Sequence, residues 1–232
     1  MYRRPAIESP DGVQFANLSA SGSLWKDALI MRDDVSNSMW SQLEGWALKG
    51  SERGSRLDTY PFERTTYAAW KARYPNTLVL RKEAGERDQR QSVYADYFSN
   101  EGALGIFGTP NPDERYPGKK LVLGFIGQGE QVAIPYDELK RKGWASFELD
   151  GKPAICVHDR ERQAVRGYLT ADGPARVESA GDAHLIVAGD QRFGLDGEPR
   201  ADGVAALEPL LHTPVFWFAW AQGFPETRVV TP

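Results

Sequence analysis

The sequence predicts a mainly-β protein with a minor α component: an internally duplicated β-sandwich or barrel-like domain carrying short aromatic helices. Three observations lead there. Short β-prone runs are broken by frequent turn pairs, helical patterns are few, and one aromatic segment occurs twice.

Five Asp-Gly pairs punctuate the chain: Asp11-Gly12, Asp150-Gly151, Asp172-Gly173, Asp196-Gly197 and Asp202-Gly203. Such pairs supply the positive φ of a tight hairpin turn when β-prone runs flank them. Residues 146–149 and 153–158 flank the second pair, and 165–169 and 175–178 flank the third. Residues 121–126 and 131–134 read as a further hairpin, turning through Gly127-Gln128-Gly129. Short strands with turns at this rhythm belong to sandwiches and barrels.

Helices are expected over 66–74, 136–142 and 216–224. The first and last carry Tyr67, Trp70 and Tyr74, and Trp217, Trp220 and Phe224, at helical spacing. Pro75 and Pro225 stop them, because a residue before proline is pushed out of the α region. Thr213 and Pro214 are the expected N-cap and first-turn residues of the last helix. In the middle helix the acids come first and the bases last, matching the macrodipole, and Gly143 caps it.

Residues 69–79 align without a gap on 219–229, with alanine, tryptophan, proline, threonine and valine identical. Upstream, Gly45 pairs with Gly197, Leu29-Ile30-Met31 with Leu185-Ile186-Val187, Asp34 with Asp190, and Asp11-Gly12 with Asp172-Gly173. This gives a first repeat over 1–80, a connector over 81–120 and a second repeat over 121–232, forming one structural unit. The connector is charged over 81–90 and rich in Gly, Pro and Asp over 108–118. Tyr94, Tyr97, Phe98, Ile106 and Phe107 are expected to pin parts of it to the body. Residues 2–7 align with 164–168, so Met1 enters the first repeat midway and the strands over 121–158 lack first-repeat counterparts. The Tyr2 strand is expected at an exposed edge, or paired with a second-repeat strand. Self-association through such an edge is expected, and residues upstream of Met1 to relieve it.

With 41% hydrophobic and 26% charged residues the composition is that of a soluble globular domain. A net charge of −4 without a basic cluster argues against nucleic acid as a partner. No run reaches the ~18 apolar residues of a membrane helix. No apolar stretch follows Arg3-Arg4, so the chain shows no signal peptide, and its compartment stays open. Cys156 is the sole cysteine, which rules out an intrachain disulfide.

Candidate chemistry is sparse. Cys156 and His158 share a strand face; they read as a thiolate–imidazole or metal pair, or as a buried thiol beside an incidental histidine. The latter is favoured. Three histidines without ligand spacing give no metal site, and Gly127-Gln128-Gly129 is a turn rather than a phosphate loop, so no cofactor is expected. Residues 34–42 are the segment densest in hydrogen-bonding groups around an aromatic. Asp34, Trp40, Ser41 and Gln42 are therefore the candidate ligand-binding residues, shared with Tyr97, Arg115 and Lys119 of the connector. The competing reading is a strand-turn that satisfies its own backbone, with Trp40 in the core.

Ser38-x-Trp40-Ser41-Gln42, then Gly45-x-Ala47-x-x-Gly50, Leu57 and the Trp70 helix, resembles the family called domain of unknown function 3179. Tyr94-Ala95-Asp96-Tyr97, Asp113-x-Arg115-x-x-x-Lys119, Val122-Leu123-Gly124 and Phe216-Trp217-Phe218-Ala219-Trp220 fit too. The resemblance implies a two-repeat, mainly-β prokaryotic protein, often exported and so extracytoplasmic in full-length relatives, with no established activity to carry over. It also implies a strand pair and a Cys-Pro turn opening the first repeat, which here would lie before Met1. Two functions remain open. One is a noncatalytic binding or interaction domain for an unknown small ligand or protein. The alternative is a hydrolase or metal-assisted enzyme of unknown substrate.

Overall fold

The computed structural model describes residues 2–60, 62–79, 95–105, 107–171, 173–181 and 183–232. Asp172, Tyr94, Ile106 and the charged run at 81–90 lie outside them. The chain is mainly β. It opens with the hairpin β1 (Ala6–Ser9) and β2 (Gly12–Phe15), followed by a meander of β3 (Leu18–Trp25), β4 (Ala28–Asp33), β5 (Met39–Ser41) and β6 (Ala47–Lys49). Helices α1 (Tyr67–Arg73) and α2 (Ala95–Ser99) come next. Then follow β7 (Leu121–Ile126), β8 (Gln131–Pro135), α3 (Tyr136–Lys142), β9 (Trp144–Leu149), β10 (Lys152–Asp159) and β11 (Ala164–Leu169). The chain ends with β12 (Ala175–Ala180), β13 (Ala183–Ala188), β14 (Gln191–Gly194), β15 (Glu208–Leu210), β16 (Thr213–Phe216), α4 (Trp217–Gly223) and β17 (Arg228–Val229).

Among the described residues the strands form five open sheets, and none closes into a barrel: β1-β2, β3-β4-β5-β6, β12-β13-β14, β15-β11-β10-β9 and β16-β7-β8-β17. All pairs within them are antiparallel except β8 with β17. The second half stacks in layers. α4 lies on one face of β7–β8, where Trp217 and Trp220 meet Val122 and Ala133. The opposite face of that hairpin, with Leu123, Phe125, Val132 and Ile134, packs on Ala154 and Cys156 of β10. Ile155 and Val157 point the other way, onto Tyr168, Ala175, Ile186 and Phe193. β10 is thus covered on both faces, which is why its sequence is a continuous apolar run rather than an alternating one.

Turn chemistry sets the hairpins. Asp150 and Gly151 both take positive φ, at 51° and 73°, between β9 and β10. The Asp150 carboxylate also accepts the backbone N–H groups of Gln128, Gly129 and Glu130, at 2.6, 3.0 and 3.0 Å, so it ties two turns together.

The two segments aligned in sequence share local geometry. Trp70 Nε1 donates to Thr77 Oγ1 at 2.9 Å, and Trp220 Nε1 donates to Thr227 Oγ1 at 2.9 Å. Trp70–Tyr74 and Trp220–Phe224 ring centroids both lie 4.5 Å apart. The Tyr2 ring covers Gly45 as the Tyr168 ring covers Gly197, both glycines having φ near 80°. Leu57 N–H donates to Gly45 O at 2.9 Å, and Leu207 N–H to Gly197 O at 3.0 Å. The bridge Tyr2↔Thr59 matches the pairing Tyr168↔Pro209. Strand register refines the alignment by one residue: Trp40 faces Met31 and Phe193 faces Ile186, so Met31 corresponds to Ile186.

Several expectations change. Thr213 and Pro214 belong to β16, held in the sheet by β7, and Phe216 is the N-cap of α4 with no side-chain cap bond. α4 buries Trp217, Phe218 and Trp220, whereas α1 buries no residue and leaves Tyr67 and Tyr74 exposed. The Tyr2 strand bridges Thr59 of its own repeat rather than a second-repeat strand, while the adjoining β1–β2 ribbon leaves Val13 and Phe15 exposed. In the connector, Leu104 is buried and Phe98 packs on Phe216, but Phe107 is exposed.

Candidate functional site

Strand β5 and the turn before it are built around Asp33. The carboxylate is fully buried and accepts from the backbone N–H of Val35, Ser36 and Ser38, from Ser36 Oγ, and from Trp40 Nε1 at 3.0 Å. Burial opposes its ionisation, but these bonds outweigh it and hold its pKa below the ordinary carboxylate range. Trp40 is 1% exposed, so its indole is a core group and not the floor of a pocket. Ser41 is buried, its Oγ accepting Glu44 N–H at 3.1 Å. Asp34 lies outside this network, on the surface, bonded to Asn17 through backbone and side chain.

The connector candidates also separate. Arg115 forks onto Asp113 at 2.7 Å, donates to Thr227 O at 2.9 Å and lies over the Trp217 ring. Lys119 donates to the carbonyls of Tyr97 and Asn100 and stands 3.7 Å over the Tyr97 ring. Arg115 ties residues 113–115 to Thr227 and Trp217, whereas Lys119 binds the segment of Tyr97 and Asn100.

Gln42 and Tyr97 do come together, at a cavity of about 1140 Å³. One wall is the meander, with Leu18, Leu24, Leu29 and Met31; another is Val215, Phe216, Phe218 and Ala219 at the start of α4. Tyr97 and Phe98 of α2 contribute from the connector, and Tyr2, Phe62 and His212 complete it. Tyr2 Oη donates to Gln42 O at 2.9 Å, and burial pushes this phenol up to about 12. Asp27 accepts from Thr109 Oγ1 at 2.8 Å. No lysine or arginine is among the lining residues described.

His212 is the polar group that residue patterns missed. It is 5% exposed, its ring lies 5.8 Å from that of Phe62 and 5.9 Å from that of Phe125, and Nε2 has no partner among the described residues. Burial pushes its pKa down to about 4, so the imidazole is neutral at pH 7. Asp33 was legible in principle, because Asp-x-x-Ser-x-Ser is a sequence able to wrap a carboxylate with local donors. Nothing local marks His212, whose surroundings are assembled from distant segments.

The cavity has a packing explanation. In the second repeat, Ile155 and Val157 of β10 cover Tyr168, Ala175 and Ile186. The corresponding residues Tyr2, Leu18 and Met31 are only partly buried and line the cavity. Cys156 and His158 lie elsewhere, on β10. Burial raises the Cys156 thiol pKa and lowers that of His158, so the pair is neutral. Among the described residues no group of three or more His, Cys, Asp or Glu is placed to hold a metal ion. No described helix is long and apolar enough to cross a membrane.

A family model described as protein of unknown function (DUF3179) matches residues 2–227, nearly the whole chain. The chain belongs to the DUF3179 family. No curated protein and no solved structure matches it. The match spans residues 38–50, 113–124 and 216–220, and the DUF3179 description carries no reaction to this site.

Proposed function

We propose that this chain is a noncatalytic binding protein whose cavity takes an uncharged, apolar group, with Gln42 and Tyr97 among the contacting residues. The lining of the cavity supports this: aliphatic and aromatic walls, a neutral His212, one carboxylate at Asp27 and, among the described lining residues, no lysine or arginine. An anionic head group buried there would lose its hydration without a compensating charge, and Asp27 would repel it. A neutral hydroxyl or carbonyl could bond to the His212 ring or the Gln42 amide at far smaller cost. The hydrolase or metal-assisted alternative draws no support from Cys156, whose thiol is enclosed and protonated.

The uncharged dye Nile red provides the test. Saturable binding by the full chain is expected, weakened at least tenfold in Leu29→Trp, which adds bulk to one wall. A fatty alcohol should displace the dye better than the fatty acid of equal chain length. Unchanged binding in Leu29→Trp, or preference for the acid, would overturn the proposal.

A further inference from the structure

A second pocket, of about 440 Å³, lies where α3 meets the end of β10, and it shares no lining residue with the cavity. Asp137, Lys140 and Arg141 line it from one face of α3, spaced i, i+3 and i+4. His158 of β10, with Arg160 and Gln163 of the turn that follows, completes it. The turn is fastened to the helix end. His158 N–H donates to Gly143 O and Arg160 Nη2 to Arg141 O, both at 2.7 Å, and Gln163 Nε2 donates to Arg160 O at 2.6 Å. Carbonyls at a helix C-terminus disfavour an anion, but here Leu139, Arg141 and Gly143 each have a donor on theirs.

The charge of the lining is one-sided. Lys140, Arg141 and Arg160 form no ion pair among the described residues. Asp137 already accepts from Lys120 Nζ at 2.8 Å, and Glu161 of the same turn lies outside the lining. His158 is the observation that points to a ligand. It is 3% exposed, and neither Nδ1 nor Nε2 has a hydrogen-bond partner among the described residues. Its ring stands edge-on to that of Tyr136, centroids 6.0 Å apart, a contact that satisfies neither nitrogen. Buried polar atoms are ordinarily bonded, and leaving them unpaired costs stability. Burial, Lys140 and Arg160 hold the pKa of His158 below the ordinary histidine value, so the charges of two lining cations are felt at the ring.

We infer that this pocket binds a phosphate dianion, either free or as the terminal group of a small phosphomonoester. Lys140 supplies a point charge, Arg141 and Arg160 supply charged N–H donors, and His158 supplies a neutral ring donor beneath them. Three cations match a group carrying two charges and several acceptor oxygens better than a single carboxylate. The inference goes beyond the cavity reading and is independent of it, since the two sites share no residue and take ligands of opposite character.

The full chain is titrated with inorganic phosphate, and separately with phenyl phosphate, at about pH 8 and constant ionic strength, where both probes are dianions. Imidazole NMR signals report the result, because the chain has three histidines and single substitutions assign them. A saturable shift of the His158 signal is expected, with those of His184 and His212 unmoved. Half-saturation should rise at least tenfold in Lys140→Gln with Arg160→Gln, two exposed positions outside the core, and stay unchanged in Lys49→Gln, an exposed lysine of β6. Tighter binding of phenyl phosphate assigns the site to an ester, and tighter binding of inorganic phosphate to the free ion. Absence of a saturable His158 shift with either probe, a shift that survives the double substitution, or an equal loss in Lys49→Gln overturns the inference. Nile red binding by the same samples should be indifferent to phosphate, so failure here is distinct from failure of the cavity reading.

Discussion

Phe62 and His212 lie ring against ring, centroids 5.8 Å apart and planes inclined by 31°, 150 positions apart in the chain. The offset relating them is the one that relates Leu57 to Leu207 and Trp70 to Trp220. The segments around Phe62 and His212 therefore meet directly. Polar contacts reinforce this meeting: Glu63 binds Arg73 of its own repeat at 3.0 Å and Arg166 of the other, and Thr65 Oγ1 donates to Arg162 O at 2.6 Å.

The pH dependence of stability should carry the signature of His212. In the unfolded chain it takes up a proton near pH 6.5, whereas the folded chain resists until about pH 4. Its neutral form favours folding fully above pH 6.5, and this contribution is lost as pH falls toward 4, amounting to about 3 kcal/mol. Urea unfolding at pH 7 and pH 4.5 measures it. A His212→Gln variant should show a smaller drop between the two; an equal drop would assign the effect to other groups.

The two acids at 33 and 34 should behave oppositely. Asp33→Ala leaves the Trp40 indole and several backbone N–H groups without their acceptor inside the fold, a cost of about 3–5 kcal/mol. Asp34→Ala removes an exposed carboxylate and should barely move the unfolding midpoint. Similar losses for both would mean that the Asp33 hub does not organise this turn.

Tryptophan truncation should separate the repeats. Trp220 is fully buried beneath β7–β8, and Trp220→Ala is expected to cost about 3–5 kcal/mol in urea unfolding. Trp70 is only partly buried, packing on Tyr74, bonding Thr77 and lying under Arg73 in a helix that buries no residue, so Trp70→Ala should cost on the order of 1 kcal/mol. Equal losses would place Trp70 in a core as complete as that of Trp220.

Glycine substitution tests the same contact from below. A Cβ at Gly124 would sit 2.1 Å from the Trp220 ring, whereas at Gly129 it would meet only Asp150 Oδ1 at 3.8 Å. Gly124→Ala should cost about 3 kcal/mol through overpacking, and Gly129→Ala well under 1 kcal/mol. Thermal melts of the two variants give the comparison directly.

Sequence alone determined what is local or periodic. The alternating and continuous apolar runs specified the strands, Asp150-Gly151 specified its turn, and the paired Trp-to-Pro segments specified two matching helices. The composition also settled the mainly-β class, because short runs with frequent turns leave little length for helix. Tertiary structure decided everything that depends on which surfaces meet. Asp33 and Asp34 are both acids after a strand, and only the path of the turn puts one carboxylate in the core and the other in water. Trp70 and Trp220 have nearly the same neighbours in sequence, yet one is half-exposed and the other sealed by a hairpin lying some hundred residues upstream (Gly124 against Trp220). Gln42, Tyr97 and His212 converge on one cavity through contacts that no window of sequence contains. Burial is a property of the assembled layers, and so are the pKa of His212 and the engagement of Arg115 by Asp113 and Trp217.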